Sequence, residues 1–98
     1  MVAFRLDIPP HVAEIIRHLP PDLKRSVKEA LRALSRNPSD GEPLMRELEG
    51  LRKYRVRRFR ITYATDRAHR VLRVFAVGHR KEIYEQVAEQ IRRGKPSR

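Results

Sequence analysis

The residues best equipped for chemistry lie between positions 52 and 80 and just beyond. That stretch holds ten basic residues (Arg52, Lys53, Arg55, Arg57, Arg58, Arg60, Arg67, Arg70, Arg73 and Arg80) and one acid, Asp66, a net charge of +9. Residues 1–51 carry eight basic and eight acidic residues, and residues 81–98 carry five and three, so the block holds nearly all of the formal +11. A solubility device would be spread over the surface. A block this concentrated points to a polyanion, with phosphate the commonest ligand. The plainer reading is a solvated face, although such faces normally mix their signs. Other chemistries fail in turn. One acid among ten bases leaves no paired carboxylates inside the block. His11, His18, His69 and His79 have no metal-ligand spacing. Ser26, Ser35, Ser39 and Ser97 sit in no nucleophile motif, and no Gly-rich phosphate loop is present. Guanidinium, ammonium and phenol groups remain.

Those groups suit transesterification of RNA, in which the 2′-OH attacks the adjacent phosphate and negative charge grows on the non-bridging oxygens. Arginine stays protonated and grips phosphate through a planar fork. Tyr84 is a candidate base, because surrounding cations lower a phenol's pKa. His79 is the alternative base. Arg80 and Tyr84 are four residues apart and share a face if a helix begins near Arg80. His79 points away from Arg80 if the strand runs through it. The competing structural readings are a core Tyr84 packed with Ala88 and Ile91, and an exposed loop histidine at 79.

The elements that must hold these groups can be read from periodicity. Val2, Phe4, Leu6 and Ile8 alternate with Arg5 and Asp7, a half-buried strand ended by Pro9-Pro10. Val12, Ile15, Ile16 and Leu19 predict a short helix from about His11 to His18. Pro21 opens a second helix running to about Arg36, with Leu23, Val27, Ala30, Leu31 and Leu34 along one stripe. The two read as an antiparallel hairpin. Residues 37–43 are turn formers, and Leu44, Leu48 and Leu51 form a loop packed over the core edge. Tyr54 to Thr65 reads as a β-hairpin turning at Arg57-Arg58, with Val56 opposite Phe59, Arg55 opposite Arg60 and Lys53 opposite Thr62. Apolar side chains then share one face and basic ones the other. Val71 to Val77 predicts a central strand ended by Gly78. Ile83, Val87 and Ile91 predict a last helix from Lys81 to Arg93.

The expected fold is α+β, in the order β-α-α-β-β-β-α: a small antiparallel four-stranded sheet with the helical hairpin on one face. Ninety-eight residues make one domain, expected over 1–93, with 94–98 a basic flexible tail. The chain has no cysteine, so disulfide scaffolds and Cys-ligated zinc are excluded. No apolar stretch approaches the roughly 18 residues of a membrane span, and no signal-peptide h-region is present. The expected location is cytoplasmic, and no metal or cofactor is expected.

Two segments carry a family resemblance. They are Tyr54-Arg55-Val56-Arg57-Arg58-Phe59-Arg60-Ile61-Thr62-Tyr63, and Val71 through Val77 followed by Gly78-His79-Arg80-Lys81-Glu82-Ile83-Tyr84. They resemble the Tyr-Arg-Val-Gly-Asp-Tyr-Arg-Ile-x-Tyr and Gly-His-Arg-x-x-x-Tyr patterns of the RelE/ParE superfamily, the toxins of bacterial and archaeal type II toxin–antitoxin systems. The resemblance covers about residues 2–91. It implies a partner antitoxin and, in the RelE branch, a ribosome-dependent endoribonuclease (mRNA interferase) that cleaves mRNA in the ribosomal A site and so inhibits translation. By resemblance, Arg60 is the phosphate-binding arginine of the third strand, Arg80 serves the leaving group, and Tyr84 is the base. Lys53 and Arg55 stand where the branch has second-strand lysines, and Arg57 and Arg58 add RNA-phosphate contacts. Arg57-Arg58 departs from the family's Gly-Asp turn. The ParE branch implies instead a non-enzymatic DNA gyrase poison of the same fold. A non-catalytic RNA- or ribosome-binding protein is the third possibility. Aromatic residues suited to base stacking are sparse, which argues against a single-strand stacking platform.

Overall fold

A computed structural model of the chain describes residues 3–79 and Arg92. The expected last helix, and with it Arg80 and Tyr84, lies outside the described residues.

The elements are β1 (Arg5–Asp7), α1 (Pro10–Arg17), α2 (Pro21–Arg36), β2 (Glu42–Pro43), β3 (Leu51–Val56), β4 (Phe59–Asp66) and β5 (Val71–His79), with single 3-10 turns at Pro38–Asp40 and Arg46–Leu48. The strands form one sheet in the order β1-β5-β4-β3-β2. The expected four-stranded antiparallel sheet is therefore corrected to a five-stranded mixed one. β1 runs parallel to β5, with Arg5 beside Val71 and Asp7 beside Arg73. Side-chain alternation says which face of a strand is buried, not which way the strand runs. A helical hairpin between strands lets the chain return in either direction, whereas a tight turn forces antiparallel pairing. The fifth strand, β2, has two residues and carries no readable periodicity. It pairs Glu42 with Lys53 and Pro43 with Arg52, with the proline at an edge, where a missing donor is tolerated. Strand β5 also continues through Gly78 to His79 rather than stopping at Gly78.

Both helices begin with proline in the first turn, and each buries the centre of the stripe its spacing predicted, with Leu19 and Leu23 half-buried and Ile15, at the edge of the α1 stripe, exposed instead. Val12 and Ile16 of α1, and Val27, Ala30, Leu31 and Leu34 of α2, meet Phe4, Val56, Ile61, Tyr63, Leu72, Val74 and Val77 of the sheet side in one cluster. Each fully buried aliphatic side chain in it contributes roughly 1.5–3 kcal/mol. On the opposite face, Leu44 and Leu48 pack with Leu51, Ala64, Phe75 and Ala76, which makes the 44–51 segment a cover for one end of that face. Among the described residues no helix is long and apolar enough to cross a membrane.

The loop after α2 is fastened by Tyr63. Its buried hydroxyl donates to the Pro38 carbonyl at 2.5 Å and accepts the Gly41 N–H at 3.0 Å. Gly41 is required by this approach: a Cβ there would stand 2.3 Å from the tyrosine oxygen and 2.9 Å from the Lys53 carbonyl. The phenol therefore ties down the chain that supplies β2.

Candidate functional site

The β3–β4 hairpin has the register its side chains predict. Val56 pairs with Phe59, Arg55 with Arg60 and Lys53 with Thr62. Alternation sends Tyr54, Val56, Phe59, Ile61 and Tyr63 towards the core cluster. Lys53, Arg55 and Arg60 take the other face, at the end that the 44–51 segment leaves uncovered. The turn itself is Arg57-Arg58, and Arg57 holds φ at 56°, in the left-handed region that favours glycine.

These three cations line a concave site of about 440 Å³ together with Tyr54, Asp40 and Glu42. Lys53 Nζ lies 3.7 Å from Glu42 Oε1, and Arg55 Nε donates to the Arg57 carbonyl at 3.1 Å. Arg60 has no ion pair among the described residues and is half-buried. On the same face Thr62 is fully buried, and its hydroxyl has no hydrogen-bond partner among the described residues. Asp40, Glu42 and Thr62 were missed by the sequence reading. The two acids sit outside the basic block and reach it only because β2 folds back along β3. Their charge partly offsets the three cations: Glu42 pairs with Lys53, whereas Arg60 pairs with neither acid among the described residues.

The rest of the basic block divides from this cluster. Arg52 donates to the carbonyls of Gly41 and Ser39 at 2.5 and 3.4 Å. Arg73 pairs with Asp7 at 3.3 Å and with Asp66 at 3.7 Å. The guanidiniums of Arg70 and Arg67 lie 4.9 and 5.9 Å from the centre of the Phe4 ring, which they cover. Asp66 accepts both the backbone N–H of His69 at 3.1 Å and a 3.0 Å contact from its ring, and these hold the carboxyl below the ordinary range. Four of the ten basic residues are thus engaged in holding the sheet together, and the Arg57-Arg58 turn extends the Lys53/Arg55/Arg60 group.

His79 is opposite Phe59 in the register and Gly78 is opposite Arg60. The His79 ring accordingly packs against Phe59, with centroids 4.3 Å apart and planes at 53°, on the face away from Arg60. Of the expected site residues, Lys53, Arg55 and Arg60 are brought together, Arg57 and Arg58 stand at the tip, and His79 is turned away. Arg80 and Tyr84 lie outside the described residues. No group of three or more His, Asp or Glu side chains suited to a metal occurs among the described residues.

This small α+β fold is shared with a group of toxin structures. The RelBE2 toxin–antitoxin complex of Mycobacterium tuberculosis matches with a TM-score of 0.73 and 32% identity, over 82% of this chain and 94% of that one. The free RelE toxin of E. coli, a double arginine-to-alanine variant, matches with a TM-score of 0.76 and 21% identity, over 92% and 99%. The archaeal RelE–RelB complex of Pyrococcus horikoshii gives a TM-score of 0.67 and 19% identity, over 81% and 97%. The sequence pattern of the ParE toxin of type II toxin–antitoxin systems matches residues 10–84. The chain belongs to this RelE/ParE family and is a toxin of a type II toxin–antitoxin system. No curated protein matches it.

Proposed function

We propose that the chain is a RelE-like endoribonuclease, acting on mRNA in the ribosomal A site and held inactive by a cognate antitoxin. The observation that carries this reading is the pairing of Arg55 with Arg60 across the hairpin, with Lys53 on the same face of one concave site. Guanidiniums fixed on neighbouring strands stabilise the charge that grows on a phosphate during 2′-OH attack, and a rigid sheet holds them without reorganisation. Arg60 is assigned to the phosphate, Arg80 to the leaving group and Tyr84 to the proton of the 2′-OH. His79 is disfavoured as base because its ring is committed to Phe59 on the other face. The antitoxin is assigned an acidic or amphipathic segment that covers the basic face.

The match to the ParE toxin pattern favours a second reading, a non-enzymatic gyrase poison of the same fold. Induced expression with primer extension on a reporter mRNA separates the two. Cuts within translated codons are the outcome of the nuclease reading, and intact mRNA with cleaved DNA is the outcome of the other. Tyr84→Phe is expected to lower cleavage by roughly 10²–10⁴, the usual contribution of a positioned base. Arg60→Ala is expected to lower cleavage and to weaken RNA binding as well, because a guanidinium holds the phosphate in the ground state too.

A further inference from the structure

A second cavity, of about 470 Å³, opens at the tip of the hairpin on the face away from Arg60. Among the described residues its walls are Pro20, which caps α2, Leu23 in the first turn of α2, and the Phe59–His79 ring pair. Arg57 and Arg58 also line it, both exposed and neither in an ion pair among the described residues. The size falls within the range of about 300–1,000 Å³ usual for small-molecule sites. An apolar, aromatic-walled pocket with guanidiniums in its lining suits a flat, apolar-faced ring attached to an anion. A nucleotide is such a ligand.

The pocket is placed to be filled from the catalytic face. Phe59 and Arg60 are consecutive in β4 and point to opposite faces of the sheet. The Arg57-Arg58 turn lies between those faces, at the end where the sheet stops. A single strand whose phosphate rests on Arg60 has only to pass that turn, with its next phosphate on Arg57 or Arg58, for a neighbouring base to reach Phe59 and His79. Single-stranded RNA is commonly gripped in this way, the backbone by cations and splayed bases by aromatic rings.

We propose that this pocket receives one unstacked nucleobase of the RNA strand whose phosphates lie on Lys53, Arg55 and Arg60. The proposal rests on the nuclease reading for the choice of RNA. It makes Phe59 and His79 base-binding residues, and Arg57 and Arg58 the guides that lead the strand round the hairpin. The sparse aromatic residues of the sequence then form one stacking position rather than an extended platform.

The test is fluorescence anisotropy on the full chain, with a labelled mixed-sequence hexaribonucleotide and its fully abasic counterpart. The normal oligonucleotide is expected to bind roughly 5- to 150-fold tighter, the range for one stacked base. Phe59→Leu and His79→Ala should each reduce that ratio to below about threefold and leave the abasic affinity within about twofold. His79 is exposed, so its variant keeps the test sound even if Phe59→Leu destabilises the hairpin. Equal affinity of the parent for both oligonucleotides overturns the proposal, as does a ratio that survives both substitutions. Substitutions that spare RNA binding and weaken only the cognate antitoxin make the pocket a protein-docking site, which also overturns it. A base-dependent ratio in a protein that cuts no mRNA retains the pocket and removes the nuclease reading. Cleavage without the ratio does the reverse, and failure to bind either oligonucleotide removes both.

Discussion

At the scale of single residues, Tyr63 shows how one buried side chain places the segment that brings Asp40 and Glu42 to the basic hairpin. Its hydroxyl meets both the Pro38 carbonyl and the Gly41 N–H, and the strand that brings Glu42 to Lys53 begins one residue later. Tyr63→Phe removes the oxygen and leaves a buried N–H and a buried carbonyl without this partner. The expected cost is about 1–3 kcal/mol, read as a lower midpoint in urea at an unchanged slope. Burial also pushes the phenol's pKa above its ordinary value of 10.0. The folded state therefore holds the proton more tightly than the unfolded state does. The stability this contributes is complete below about pH 10 and is lost as pH rises through the raised pKa. The parent should lose stability on alkaline titration faster than Tyr63→Phe, and parallel curves for the two proteins would contradict the assignment.

Among the elements, the hairpin was the most legible in the sequence. Two alternating runs around a two-residue turn admit one register that puts all apolar side chains on one face, and the structure has it. Both helices were legible from a 3.6-residue stripe between prolines. β1 was legible as a strand but not in direction, and β2 was invisible because Glu42-Pro43 has neither length nor pattern. The site divided along the same line. Lys53, Arg55 and Arg60 followed from alternation, whereas Asp40 and Glu42 arrive through β2 and could not be seen. Nor could charge counting show that Arg52, Arg67, Arg70 and Arg73 are occupied, since their partners Ser39, Phe4 and Asp7 come from distant parts of the chain. The turn carries its own prediction. Arg57 at φ 56° holds a conformation that costs a residue with a Cβ roughly 1–2 kcal/mol. Arg57→Gly should raise stability by about 1 kcal/mol in thermal or urea unfolding while weakening RNA binding. A loss of stability would show that the arginine side chain holds the turn.

For the whole molecule, the basic block is two groups with different work, and salt dependence should tell them apart. For single-stranded RNA each phosphate contact contributes about 0.7 to the slope of log affinity against log salt. Arg57→Ala combined with Arg58→Ala should flatten that slope by about 1.4, two contacts' worth. Arg70→Ala combined with Arg73→Ala should leave the slope unchanged and lower stability, because these residues cover Phe4 and bind Asp7. The opposite pattern would place the polyanion on the other end of the sheet.

The parallel docking of β1 on β5 bears on how the toxin comes into being. Arg5 finds its neighbour Val71 only after most of the polypeptide has been synthesised. At roughly 5–20 residues per second, a growing chain holds β1, α1 and α2 for several seconds with no sheet to receive them. During that interval the apolar stripe through Val12, Ile16, Val27 and Leu34 is exposed to water and to other proteins. Strands β3 and β4 can pair earlier, but their hairpin lacks the β5 neighbour that fixes Arg60 opposite Gly78. A nascent chain therefore cannot complete the sheet that carries Lys53, Arg55 and Arg60 until β5 exists. Truncation before β5 leaves a chain with an apolar stripe and no completed sheet to bury it, and the interval before β5 forms leaves that stripe open to a protein partner.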